Sequence, residues 1–155
     1  SHPAHVPGTA VFLTADPDAA PAALLHNLKH NHVLHERNLI VTVTVANTPR
    51  VADDERIKID ALGPAFKRVV LTFGYMEQPN VPRALGIARK EGVKFEVMAT
   101  SFFLNRRSFK TSPDSEMPLW QERLYISMSK SASDATSFYR LPSNRVLELG
   151  QQFVI

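Results

Sequence analysis

Cysteine is absent from this 155-residue sequence. That removes disulfides, thiolate zinc sites and a cysteine nucleophile at once, and it is compatible with a reducing compartment. Glycine is scarce, with six widely dispersed residues. Among them there is no G-x-x-x-x-G-K-[ST] phosphate loop, no G-x-G-x-x-G dinucleotide loop and no G-x-S-x-G nucleophile elbow. Long apolar runs are also missing. The longest stretches without Lys, Arg, Asp or Glu are Ser1–Ala15 and Asn38–Pro49. Both fall short of the roughly 20 apolar residues that a spanning helix needs. No basic segment leads into an apolar run, so no signal peptide is read. Charge of one sign is not concentrated either. The net charge of +3 comes from interspersed residues, with no Arg/Lys run interleaved with aromatics. Nucleic acid is therefore not expected as a partner.

What is present fits one globular domain. The apolar share of 44% and the charged share of 21% are both ordinary for a folded chain, and the length is enough to bury a core without staples. Ser1-His2 opens the chain without a methionine. Residues 1–6 read as a tag remnant and linker, and residues 7–155 as the domain.

Periodicity gives the elements. Ser1–Gly8 reads as a loop, punctuated by Pro3, Pro7 and Gly8. Thr9–Thr14 is a continuous apolar run, as in a strand covered on both faces. Asp16, Pro17 and Pro21 mark a helix start, and Leu24, Leu25 and Leu28 give a stripe continued by His32 or Val33. Leu39–Val45 alternates valine with threonine and is the clearest strand. A strand–helix–strand succession predicts a right-handed crossover and a parallel pair. Arg56–Asp60 and Phe66–Tyr75, joined by Leu62-Gly63-Pro64, read as an antiparallel pair. Val81–Lys90 reads as a helix closed by Gly92. Val93, Phe95 and Val97 alternate with polar residues as in a strand, and Ser101–Leu104 reads as another. Met117, Trp120, Leu124, Met128, Ala135 and Phe138 recur at helical spacing, ending near Leu141-Pro142. Arg145–Leu149 and Gln152–Ile155 read as closing strands. The expectation is an α/β domain: one mixed, mainly parallel sheet with about three helices and antiparallel edge strands.

Chemistry is sparse. His26 and His30 share a helix face, and His35 stands five residues on. A metal centre needs a third ligand and a supporting shell, and neither is evident, so no metal or other cofactor is expected. Asp53-Asp54-Glu55 reads as a solvated turn, because three adjacent acids share similar surroundings. Asp16 follows a strand and reads as a helix cap. The residues show no catalytic constellation, so no enzyme is expected. The polar face carrying His26, Lys29 and His30, then Glu36 and Arg37, and the pair Arg106-Arg107 are the candidate interaction surface.

Several blocks carry a resemblance. They are Pro7–Thr14, Leu24–Arg37, Gly74-Tyr75-Met76-Glu77 with Pro79 and Val81, then Trp120 with Glu122-Arg123-Leu124 and Met128, and finally Leu141-Pro142, Arg145-Val146 and Glu148-Leu149-Gly150. In order and spacing they resemble the cytosolic C-terminal region of the Kup potassium transporter family. The resemblance implies a domain on the cytoplasmic side of the cell membrane, attached to a transmembrane domain that imports potassium with protons. It implies regulation or assembly as the role, with that transmembrane domain as partner and a homodimer contact as in relatives with cytosolic α/β domains. Cyclic di-adenylate controls some potassium transporters, so an adenine nucleotide or cyclic dinucleotide sensor is the alternative. One departure concerns Arg106-Arg107, where the family commonly has arginine followed by glutamate.

Overall fold

The structure, a computed structural model, describes residues 4–14, 33–63, 65–105 and 136–149. It is built on one six-stranded sheet. The strands are β1 (Ala4–Thr14), β2 (Val33–Val45), β3 (Ile57–Gly63), β4 (Phe66–Phe73), β5 (Thr100–Asn105) and β6 (Val146–Leu149). Their spatial order is β3-β4-β2-β1-β5-β6. Only β3 runs against its neighbour, pairing antiparallel with β4 at one edge, while the other neighbours are parallel. The α/β class and the antiparallel edge expected from the sequence are both present.

The strand order has a consequence. From β1 the chain adds β2 and then β4 on one side, whereas β5 and β6 are laid down on the other. The order therefore reverses between β1 and β5. In open α/β sheets such a reversal leaves a crevice beyond the carboxyl ends of the two strands, which here are Thr14 and Asn105.

The sheet separates two apolar surfaces, because alternate side chains point to opposite faces. Val11, Leu13, Leu39, Val41, Val43, Val69, Leu71, Phe102 and Leu104 form the larger one, all nearly inaccessible. The helix α1 (Val81–Ile87) packs on it through Val81, Ala84 and Leu85. Removing a fully buried side chain such as Leu71 would cost about 2–5 kcal/mol, the transfer term plus a cavity. On the opposite face Ala10, Phe12, Ile40 and Phe103 form a smaller cluster, with the Phe12 and Phe103 rings stacked at 5.0 Å.

The start of α1 follows from its sequence. Asn80 caps it, its Oδ1 accepting from Arg83 N–H at 3.1 Å, and a proline sits in the first turn, where a missing N–H costs nothing. The helix tightens into a 3₁₀ turn at Ala88–Glu91 and stops at Gly92, whose φ of 90° is easy only for glycine. The helix expected over Val81–Lys90 is thus present, with its last turn wound more tightly.

Three expectations are corrected. First, β1 begins at Ala4, inside the stretch Ser1–Gly8 read as a loop. Pro7 and Gly8 sit at a register shift between Val6 and Thr9, so they bend the strand without ending it. Second, Val33–Arg37 belongs to β2, where Ala4, His5 and Val6 pair with Val33, Leu34 and His35. The helical stripe therefore does not extend to Val33. Third, Val93–Val97 is not a strand. Val93 and Phe95 are buried against the core, which explains their alternation, but no strand pairs with them. The β5 strand begins only at Thr100, after a 3₁₀ turn at Val97–Ala99. Residues 136–138 are helical, in line with a helix ending before Leu141. The rest of that helix with Trp120, the helix after Asp16, Pro64 and the segment Gln152–Ile155 lie outside the described residues.

Candidate functional site

The most organised polar structure lies beyond the carboxyl ends of β2 and β4. Residues 46–56 link β2 to β3, and residues 74–80 link β4 to α1. Their meeting point is Arg56, which is 4% exposed. A guanidinium removed from water must have its N–H groups paired. Here Nη2 donates to Glu77 Oε2 at 2.6 Å and to the Val51 carbonyl at 2.7 Å. Nη1 donates to the Thr72 carbonyl at 3.3 Å, and Nε to Asp53 Oδ1 at 3.2 Å. The guanidinium carbon also lies 4.9 Å from the centre of the Phe73 ring, within cation–π range.

Glu77 is equally engaged. Its Oε1 accepts from the backbone N–H of Val51 at 2.7 Å and of Gly74 at 2.8 Å. Burial works to raise its pKa, but the hydrogen bonds from Arg56, Gly74 and Val51, with the Arg56 charge, outweigh that and hold it below the usual carboxylate value. Asp53 also accepts from Arg83, at 3.0 Å to Oδ2. The Arg83 hydrogen bond is the largest influence on Asp53 and keeps its pKa low. The acidic run read as a solvated turn is exposed at all three residues, and Asp53 in addition links two arginines.

This cluster fixes the turn Gly74-Tyr75-Met76-Glu77. Tyr75 and Met76 N–H groups donate to the carbonyls of Thr48 and Pro49, both at 3.0 Å. Gly74 lies so close that a Cβ there would sit 2.2 Å from the Pro49 oxygen. At the tip Tyr75 and Met76 project into solvent, 47% and 69% exposed. The Glu77 carboxylate is committed to the Arg56 guanidinium and two backbone N–H groups, and Asp53 is tied to two arginines, which suits neither to be a general base or a nucleophile. The arrangement can hold a rigid apolar tip outward, and that is the chemistry of docking.

Of the residues singled out from the sequence, Glu36 and Arg37 lie in β2, with Arg37 Nη1 3.7 Å from Glu36 Oε1. Arg37 also donates from Nε to Thr9 Oγ1 at 3.3 Å. They lie in the first half of β2, away from its carboxyl end, where the Arg56 cluster sits. His26, Lys29, His30, Arg106 and Arg107 lie outside the described residues. His35 is in β2 beside the Phe103 ring, edge-on at 5.9 Å, and burial lowers its pKa. Among the described residues no group of three His, Asp or Glu side chains could hold a metal ion, and no helix is long and apolar enough to cross a membrane. Sequence reasoning missed Arg56 and its pairing with Glu77. The Gly74–Glu77 block was visible only as part of the resemblance.

Comparison with known proteins decides the family. The model for the K+ potassium transporter C-terminal domain matches residues 7–155. The chain belongs to that family. It is 56% identical over 153 residues to a probable potassium transport system protein Kup of Caulobacter vibrioides, covering 99% of this chain and 23% of that protein. It is 57% identical over 150 residues to a probable potassium transport system protein Kup 2 of Mesorhizobium japonicum, covering 97% of this chain and 24% of that protein. A probable Kup protein of Rhizobium tropici is 54% identical over 153 residues, covering 99% of this chain and 72% of its own length. This chain thus spans about a quarter of the length of the first two relatives. No solved structure matches it.

Proposed function

We propose that this chain is the cytosolic regulatory and assembly domain of a Kup-type potassium uptake transporter, has no turnover of its own, and acts through the transmembrane domain of the same transporter. The observation that carries the proposal is the rigid apolar tip. A buried ion pair and a turn closed on backbone carbonyls hold Tyr75 and Met76 out into solvent, in a chain that covers only about a quarter of its Caulobacter vibrioides and Mesorhizobium japonicum relatives, which are named as potassium transport proteins. A domain can bias transport only through contacts that differ between transporter states. A preorganised tip supplies such a contact with little ordering cost on docking.

The test uses the full transporter. Deleting the domain should leave discrimination of potassium over sodium intact while changing uptake rate, its regulation or assembly. A deletion variant that reaches the membrane and takes up potassium with unchanged rate, regulation and assembly would overturn the proposal, and so would loss of selectivity alone.

A second reading is favoured by the strand order. The reversal between β1 and β5 is where open α/β sheets place nucleotides, and Arg106-Arg107 follows β5 directly in the sequence. A sensor for an adenine nucleotide or cyclic dinucleotide would use that crevice, although the chain lacks a glycine-rich loop. Titration of the chain with AMP and with cyclic di-adenylate tests it, and absence of heat with both would remove it.

A further inference from the structure

The strand β3 forms one edge of the sheet, with β4 on its inner side and no described strand on its outer side. Its backbone is only half used. The Thr72 N–H donates to the Arg56 carbonyl at 2.8 Å, next to the Ile57–Leu71 pair. Hydrogen-bonded and non-hydrogen-bonded pairs alternate along an antiparallel ladder. Lys58–Val70 and Asp60–Arg68 are therefore the pairs that bond toward β4. The N–H and C=O groups of Ile57, Ile59 and Ala61 point outward, away from the sheet. Such a row is a template for another strand.

The side chains of this edge alternate too. Ile57 and Ile59 are half-buried against the larger core. Lys58 and Asp60 stand on the other face, both exposed, and neither makes an ion pair with a described residue. Between Ala61 and Gly63 the register with β4 shifts, which interrupts the regular edge. The usable edge is thus Ile57–Ala61, with a cation and an anion placed symmetrically about Ile59.

That symmetry selects a partner. An antiparallel second copy could meet the outward groups only in registers that pair Ile57, Ile59 and Ala61 among themselves. A two-fold axis at Lys58 would set Lys58 against its own copy, and one at Asp60 would set Asp60 against its own copy. An axis at Ile59 does neither. There Ile59 exchanges both hydrogen bonds with Ile59 of the second copy, and Ile57 does so with Ala61. Lys58 of each copy faces Asp60 of the other, in non-hydrogen-bonded pairs whose Cα atoms stand about 4.5 Å apart. Opposite charges so placed are stabilising and like charges destabilising. The isoleucine row also continues across the junction on the core face.

We propose that β3 pairs with β3 of a second copy of this chain in this register, joining two six-stranded sheets into one. The contact is isologous, so it closes at two copies. It uses a different surface from the Tyr75–Met76 tip and gives the assembly role proposed above a definite partner. It is read in the isolated chain, so its failure and the failure of that role in transport are separate results.

The experiment uses the 155-residue chain, with a cooperative melt confirming that each variant is folded. Sedimentation equilibrium up to millimolar concentration should show monomer and dimer. Lys58→Asp and Asp60→Lys each set like charges opposite one another twice, and each should raise the dimer Kd about tenfold or more. The double exchange Lys58→Asp with Asp60→Lys should restore it. So should an equimolar mixture of the two single variants, because each supplies the charge that the other lacks. A loss of structure would show no such rescue. As a check without substitution, hydrogen exchange at the Ile57, Ile59 and Ala61 amides of the parent should slow as concentration rises. A parent that stays monomeric overturns the proposal. So does a dimer that the single reversals leave intact, one that the mixture fails to restore, or exchange at those amides that ignores dimerisation.

Discussion

Arg56 and Glu77, separated by 21 residues in sequence, meet at 2.6 Å with the arginine 4% exposed. The pair ties the linker after β2 to the turn after β4, so it closes the carboxyl end of the sheet. Breaking a buried pair by removing one partner leaves a charge stranded, which is far more costly than the net worth of the pair. Glu77→Ala should lower unfolding free energy by about 3–5 kcal/mol. It also frees the N–H groups of Val51 and Gly74. Glu77→Gln keeps the shape and should cost less. Urea denaturation at neutral pH measures both, and an alanine variant as stable as the parent would refute the ranking.

The same pair sets an acid response. Glu77 has a native pKa below its unfolded value of about 4.3. A carboxylate depressed in the native state contributes stability that is fully present above the unfolded value. That contribution is lost as pH falls through the lower native value. Asp53 acts in the same direction, held down first by the Arg83 hydrogen bond. Stability should therefore decline below about pH 4. In Glu77→Gln the starting stability should be lower and the decline shallower. Denaturant midpoints across acid pH check this, and parallel curves for variant and parent would contradict it.

Much of the sheet was legible in the sequence, and the reasons are local. The valine–threonine alternation of Leu39–Val45 and the apolar run of Thr9–Thr14 record burial directly. The antiparallel pair β3–β4 was visible because its turn is short. The Val93–Val97 alternation misled because burial at every second residue needs only an extended chain against a core, not a ladder of hydrogen bonds. Pro7 and Gly8 misled because a strand can absorb them at a bulge. The Arg56–Glu77 pair left no local signal: its partners come from two linkers joined only in the fold.

Two glycines separate contact from conformation. Gly74→Ala would drive a Cβ to 2.2 Å from the Pro49 oxygen, a backbone atom that cannot rotate away. A cost of about 3 kcal/mol is expected, at the upper end of overpacking. Gly92 has open space around it but a φ of 90°. Gly92→Ala should cost about 1–2 kcal/mol through backbone strain alone, and Gly92→Asn less, since asparagine tolerates that region better. Thermal or urea melts of the three variants give the order, and a milder effect at position 74 than at 92 would contradict the tight seat of the turn on Pro49.

The tip itself gives the sharpest functional contrast. Tyr75 and Met76 are bound to the domain through their backbone N–H groups, which any residue except proline can supply. Their exposed side chains contribute little to the fold. Tyr75→Ser with Met76→Ser should therefore change unfolding free energy by no more than about 1 kcal/mol, or roughly 0.5 per exposed site. In the full transporter the same double variant should reduce uptake rate or weaken assembly, because the apolar contact is lost while the turn stays in place. Glu77→Ala provides the complement: it should disturb both stability and uptake, since it releases the turn. If the double serine variant transports and assembles like the parent at equal expression, the tip is not a docking element. If it unfolds the domain, Tyr75 and Met76 serve packing instead of contact.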